Sequence, residues 1–237
     1  MSASATMRPL LIAETFGDTF QGEGPSTGVP ACFIRLSRCN LRCRGCDTPQ
    51  TWDWARFDPR EEARSEPVEG VLAWALDQPE DLVIITGGEP LLQMPGLTRL
   101  VQGLRKAGRT VEIETNGTVP PSGDLVAARP FFNVSPKLSG FGAEMEEPQR
   151  IVPAVLRAFA ESGLARFKFV VTDAAELAEI AALEAAYGLT DIWVMPEGTT
   201  HEAVLAGMRE LEEPARRHGY RLGTRLHILL WGDARGR

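Results

Sequence analysis

The hydrophobic pattern changes period along the chain, from short continuous apolar runs to apolar positions spaced three and four residues apart. Leu10 to Phe20 reads as extended structure and Ala31 to Leu36 as a strand. Leu82 to Thr86 is a continuous apolar run, as expected of a strand buried on both faces. Between them Val68, Val71, Leu72, Ala75 and Leu76 follow helical spacing, with Ser65 as the cap and Glu66 and Pro67 in the first turn. Asp58 to Arg64 is a charged surface stretch. The next helix carries Leu97, Leu100, Val101 and Leu104 on one face and stops at Gly108. Strands Thr110 to Glu114 and Phe131 to Val134 follow, then a helix from about Gln149 to Ser162 and strand Arg166 to Val171. Asp173 caps a helix Ala174 to Tyr187, strand Ile192 to Met195 comes next, and a helix from about His201 to His218 precedes a terminal strand Arg225 to Leu230.

Strand-helix units in series imply parallel strands joined by right-handed crossovers. About six such units fit, fewer than the eight of a closed barrel, so the expected fold is α/β: a partial, open parallel β/α barrel of about six strands. No composition break divides it, so residues 1–237 are expected to form one domain. Residues 1–9 are expected to be disordered, and 224–237 to be a C-terminal strand and tail closing the substrate site. Polar turns collect at strand ends: Gly87-Gly88-Glu89-Pro90, Thr115-Asn116-Gly117, Ser135-Pro136-Lys137 and Pro196-Glu197-Gly198. Asn-Gly and Ser-Pro are ordinary turn dipeptides, but their repeated placement marks one sheet edge, where open α/β sheets bind ligands. In particular, Gly87-Gly88 is expected to expose backbone N–H groups there.

Composition narrows the ligand. The 25 Lys plus Arg against 32 Asp plus Glu give a formal charge of −7, which argues against electrostatic binding to nucleic acid or acidic membrane. A small-molecule substrate is expected. No apolar run is long enough to span a bilayer, and Pro9 to Ala13 is too short for a signal-peptide core, so the expected location is the cytoplasm. Cysteines in a reducing compartment serve as metal ligands or core residues rather than disulfides.

Three of the four cysteines fall as Cys39-x3-Cys43-x2-Cys46. Thiolates this close can meet one inorganic centre but leave a fourth corner unfilled. A structural zinc site is normally closed by four protein ligands, and His201, His218 and His227 lie far downstream, so zinc is the weaker reading. A 4Fe-4S cluster held by three thiolates keeps one iron free for a small molecule. Cys32, in an apolar run, reads as a buried strand thiol. Gln21-Gly22-Glu23-Gly24-Pro25 reads as a tight loop that either closely approaches a bound group or is a plain turn. Arg35 alternates with Ile34 and Leu36, so it is either a solvated outer residue or a guanidinium pointing into a site.

This cysteine spacing after one strand, with Gly-Gly-Glu-Pro after the next, resembles the radical S-adenosylmethionine superfamily, whose domain is a partial barrel. Within it the chain resembles the 7-carboxy-7-deazaguanine synthases from about Glu14 to the last strand. The marks are Gln21-Gly22-Glu23-Gly24 upstream of Arg35, Cys46-Asp47-Thr48, Thr86-Gly87-Gly88-Glu89-Pro90, Glu114-Thr115-Asn116-Gly117 and Ser135-Pro136-Lys137. The resemblance implies conversion of 6-carboxy-5,6,7,8-tetrahydropterin to 7-carboxy-7-deazaguanine with loss of ammonia, for queuosine and other deazapurines. It implies reductive cleavage of S-adenosylmethionine, hydrogen abstraction from C6 of the pterin, ring contraction and return of hydrogen.

By the same resemblance Cys39, Cys43 and Cys46 hold the cluster, and Thr48 gives an oxygen to Mg²⁺, its alternative being a simple turn hydroxyl. Phe20, Gln21, Gly22, Glu23 and Thr86 line the pterin site, and Arg35 pairs with the substrate carboxylate through its two-pronged donors. Gly45, Asp47, Gly88, Glu89, Glu114, Ser135, Pro136 and Lys137 hold S-adenosylmethionine, with Glu114 suited to ribose hydroxyls. Pro196 and Glu197 are assigned to the same cofactor, although Met195-Pro196-Glu197-Gly198 departs from the pattern expected there. His227 is either a substrate contact or a core strand histidine. An external reductant such as flavodoxin or ferredoxin and a homodimer are also implied. The rival readings are a glycyl-radical activating enzyme, which shares the cysteine spacing, and a non-catalytic iron-sulfur or metal-binding module, which leaves the strand-end turns unexplained.

Overall fold

The computed structural model describes residues 8–142 and 144–236. Most of the stretch expected to be disordered, 1–9, lies outside the described residues. Strands β1 (Leu10–Phe20), β2 (Pro30–Leu36), β3 (Arg64–Glu66), β4 (Leu82–Gly87), β5 (Thr110–Thr115), β6 (Phe131–Val134), β7 (Ala165–Val171), β8 (Ile192–Pro196) and β9 (Arg221–Leu222) form one sheet in the order β3-β1-β2-β4-β5-β6-β7-β8-β9. From β2 to β9 every neighbouring pair is parallel, whereas β1 runs antiparallel to β2, and β3 antiparallel to β1. Because β3 and β9 do not pair, the sheet is open, with six longer parallel strands as the pattern implied and a two-residue β9 beyond them. Helices are α1 (Pro59–Glu62), α2 (Val68–Asp77), α3 (Met94–Lys106), α4 (Gly123–Ala127), α5 (Glu147–Arg150), α6 (Pro153–Ser162), α7 (Leu177–Tyr187), α8 (His201–His218) and α9 (Leu226–Trp231).

The main core lies between sheet and helices. Ile34, Ile85, Ile113, Phe132 and Phe167 meet the helical stripe of Leu97, Leu100, Val101 and Leu104 and the faces of α6 and α7. Each such side chain, fully removed from water, contributes about 1.5–3 kcal/mol. On the opposite sheet face Ala31, Phe33, Leu82 and Ile84 pack with Phe16 into a smaller apolar cluster. It floors the interior beneath the strand ends.

Three segments differ from expectation, each for a local reason. Arg64–Glu66 is an edge strand paired with Leu10–Ile12, so Ser65 does not cap α2. Pro67 favours extended backbone before it, and the free edge of β1 supplies partners. The helix expected from Gln149 to Ser162 is broken at Ile151 and Val152, because Pro153 opens α6 and disfavours helical backbone at Val152. The terminal strand expected at Arg225 to Leu230 is the helix α9; a run this short and apolar carries no decisive period. The ladder ends where Gly223 N–H donates to the Val194 carbonyl at 2.7 Å, and the chain then crosses the open mouth.

Candidate active site

All three cluster cysteines sit on the loop after β2, and the turn after β4 fixes its base. Gly88 N–H donates to the Leu36 carbonyl at 3.0 Å and Glu89 N–H to the Arg38 carbonyl at 2.8 Å, so these donors are consumed rather than exposed as the sequence implied. Glycine is required here. Gly87 has φ +137°, and a Cβ on Gly88 would lie 2.1 Å from the Arg38 carbonyl oxygen. Glu89 is wholly buried; it accepts from Leu91 N–H, Asn116 N–H and Thr115 Oγ1, joining this turn to the one after β5.

Cys39, Cys43, Cys46 and Thr48 line one cavity of about 340 Å³. Among the described residues no three His, Cys, Asp or Glu side chains converge as on a single ion, while three thiolates that bind three different irons need not do so. N–H donors already face the sulfurs: Leu41 N–H lies 3.4 Å from Cys39 Sγ and the Trp52 indole 3.3 Å from Cys46 Sγ. Such donors suit cluster sulfur and tune its potential. Burial pushes the Cys39 thiol up to about 12 and raises Cys43, so binding of a metal centre must displace protons.

The same cavity holds a network of charge. Glu23 Oε2 lies 2.7 Å from Lys168 Nζ, and its Oε1 lies 2.9 Å from Arg225 Nε. Arg225 also donates to Asp47 at 2.6 Å and to the Gly198 carbonyl at 2.8 Å. Glu114 receives Lys168 at 3.3 Å, Gln21 Nε2 at 3.2 Å and Thr86 Oγ1 at 2.8 Å. Burial disfavours the Glu23 carboxylate, but Lys168 and Arg225 outweigh it and hold its pKa well below the ordinary value. Burial likewise opposes charge on Lys168, yet Glu114 and Glu23 raise its pKa, so both partners stay ionised. Burial holds His227 below its usual range despite Glu23, leaving it neutral at pH 7. A Cβ on Gly22 would lie 2.1 Å from His227 Nδ1, which is why this loop carries glycine there.

Arg35 donates from Nε to Glu14 at 2.6 Å; Glu14 also receives Arg235 at 3.2 Å, and Arg235 reaches Glu62 at 3.0 Å. Residues 233–236 therefore border the same cavity as Arg35. Phe20, Gln21, Gly22, Glu23, Arg35, Thr86 and His227 all line it, as do Gly45, Asp47, Gly88, Glu114, Ser135, Lys137 and Glu197. Glu89, Pro136 and Pro196 do not: each is buried behind a lining neighbour, with Pro196 still in register with Val171 in the sheet. The sequence reading missed Lys168 and Arg225. Lys168, on the face opposite Phe167 and Phe169, carried the same alternation signal as Arg35, whereas Arg225 was absorbed into the expected strand.

The sequence profile of the Radical SAM superfamily matches residues 33–129, which hold the cysteine loop and the turns after β4 and β5. A 7-carboxy-7-deazaguanine synthase of Pyrobaculum aerophilum is 39% identical over 242 residues, covering 100% of both chains. The chain belongs to the 7-carboxy-7-deazaguanine synthase family. A second member, from Halobacterium salinarum, is 36% identical over 91% of this chain and 88% of its own. The crystal structure of QueE from Escherichia coli superposes with a TM-score of 0.67 at 28% identity, covering 92% of this chain and 95% of that one. Streptococcus suis SuiB bound to its precursor peptide, at 17% identity and TM-score 0.60, shares the fold. Membership of the 7-carboxy-7-deazaguanine synthase family makes this a radical S-adenosylmethionine lyase, implies a 4Fe-4S cluster and S-adenosylmethionine, and decides against the activating-enzyme and non-catalytic module readings.

Proposed function

We propose that the cavity converts 6-carboxy-5,6,7,8-tetrahydropterin to 7-carboxy-7-deazaguanine with release of ammonia, in queuosine and related deazapurine biosynthesis. The observation that carries this reading is the sharing of one cavity by the three thiols and the charged pocket of Gln21, Glu23 and Arg35. When bound, the cluster supplies the electron that cleaves S-adenosylmethionine. The chain's own residues then bind, orient and exclude water. Arg35 keeps two Nη groups in reserve beside its Nε bond to Glu14, a fork suited to a substrate carboxylate. Glu23, ionised and immobilised, offers fixed acceptors to ring N–H groups, and the Phe16 and Phe33 floor closes the site below. Glu114, Ser135 and Lys137, all on the cavity wall, would hold the cofactor; Ser135 Oγ accepts from Lys137 Nζ at 2.9 Å.

Thr48 is the proposed Mg²⁺ ligand, its hydroxyl lying 3.7 Å from Cys46 Sγ at the cavity wall. A hard hydroxyl beside substrate oxygens and water suits that ion. The continuous sheet supports one domain over 1–237, with 224–237 closing the substrate site through Arg225, His227 and residues 233–236. Among the described residues no helix is long and apolar enough to cross a membrane; a cytoplasmic homodimer reduced by a flavodoxin or ferredoxin is part of the proposal. Anaerobic turnover with reductant, Mg²⁺, cofactor and the pterin, followed by mass, tests it. Product that disappears in Cys43→Ala and falls sharply in Arg35→Ala is expected; 5′-deoxyadenosine without deazaguanine would remove the substrate assignment.

A further inference from the structure

Lys168 rises from the middle of β7 into the interior, while its neighbours Phe167 and Phe169 pack into the helical layer. Its side chain is 6% exposed and its ammonium meets carboxylates from two different places, Glu23 in the loop after β1 at 2.7 Å and Glu114 on β5 at 3.3 Å. Glu23 has a second cation in Arg225, but among the described residues Lys168 is the cation paired with Glu114. Glu114 in turn holds Gln21 and Thr86, so one ammonium joins the residues assigned to the pterin and the residue assigned to the cofactor ribose. Two carboxylates this close to one another in a buried site repel unless a charge stands between them.

We propose that Lys168 is a positioning residue that sets the spacing of Glu23 and Glu114 and thereby couples cofactor cleavage to substrate turnover. The inference rests on the reaction proposed above. It requires no bond to Lys168 from either ligand. The charge fixes two acceptors that each address a different ligand, and the distance between those ligands governs whether the radical meets its target hydrogen. Arg225 pairs with Glu23 and Asp47 but not with Glu114, so its loss is expected to weaken pterin binding while leaving the Glu23–Glu114 spacing in place.

The test compares wild type, Lys168→Met and Lys168→Arg as reconstituted holoenzymes of equal iron content. Without reductant, calorimetry reads pterin binding in the absence of turnover. Lys168→Met is expected to bind about tenfold more weakly. With reductant, the ratio of 5′-deoxyadenosine to deazaguanine is expected to rise several-fold in Lys168→Met, with kcat falling as well as KM rising, and to recover in part in Lys168→Arg. A wild-type ratio in Lys168→Met, with kcat/KM within about twofold, would overturn the inference. Should Lys168→Met fail to fold, Lys168→Gln decides instead: it keeps a polar donor but removes the charge, so a wild-type ratio there also overturns the inference. Absence of deazaguanine from wild type would instead refute the reaction on which the inference rests.

Discussion

The same parallel strands present two unlike faces, and one residue step separates them. Ile34, Ile85, Ile113, Val134 and Phe167 point to the helices and form an unbroken apolar layer, while Arg35, Thr86, Glu114, Ser135 and Lys168 follow each of them directly and face the cavity. The outer face is held by non-directional burial, which asks for volume and shape. The inner face is held by ions and hydrogen bonds with assigned partners, which ask for particular atoms. A slip of one residue in register would place an arginine, a glutamate and a lysine in the core, so the site's own charge discourages mispairing of the sheet. Stability therefore resides mainly outside and chemistry inside, and substitutions should separate the two.

The largest separation is expected from Cys43→Ala, which removes all product formation while leaving the outer layer untouched; turnover, iron content and melting measured on one preparation check it. Glu23→Gln comes next. It leaves Lys168 and Arg225 without their shared counter-charge, and kcat/KM is expected to fall by about 2–5 kcal/mol of transition-state stabilisation. Leu100→Ala, on the outer side, is expected to cost about 2–5 kcal/mol of unfolding free energy in denaturant titration with turnover per folded molecule unchanged. An equal loss of turnover in the folded fraction would break the division between faces.

Glu89 lies between the two regimes. Burial, opposed by hydrogen bonds from Asn116 and Leu91, raises its carboxyl to about 7 from 4.5. The folded state thus holds a proton that the unfolded chain releases. That contribution is greatest below about pH 4.5 and is lost as pH rises to about 7, amounting to at most roughly 3 kcal/mol. Glu89→Gln should flatten this part of the pH–stability curve. The smallest effect is expected for Arg217→Ala on exposed α8, whose ion pair with Glu213 is worth no more than about 0.5 kcal/mol.

Most of the architecture was legible because period survives in single segments: buried parallel strands read as continuous apolar runs, and α3 kept its four-residue stripe. The cysteine loop was legible because its ligands are neighbours in sequence. What escaped was decided by tertiary competition. The short segment at Arg64–Glu66 became a strand because an edge was available, and the expected last strand gave way to helix Leu226–Trp231 because the sheet ladder ended at Gly223. Glu89 reads as a ligand from its motif, yet its place is structural, since the glycine turn needed an internal acceptor. Lys168 is the instructive case: in sequence, a lysine between two phenylalanines reads only as part of a strand, and its two carboxylate partners come from residues 145 and 54 positions away.

The pairing of Glu23 with Arg225 spans 202 residues and that with Lys168 spans 145. Contacts so distant in sequence bear the heaviest loop-closure cost and form after local ones. A chain emerging from synthesis can assemble β1 to β6 with their helices before either cation exists in space. The charged pocket is consequently a late product of folding, and its completion reports that both ends of the open sheet have come together.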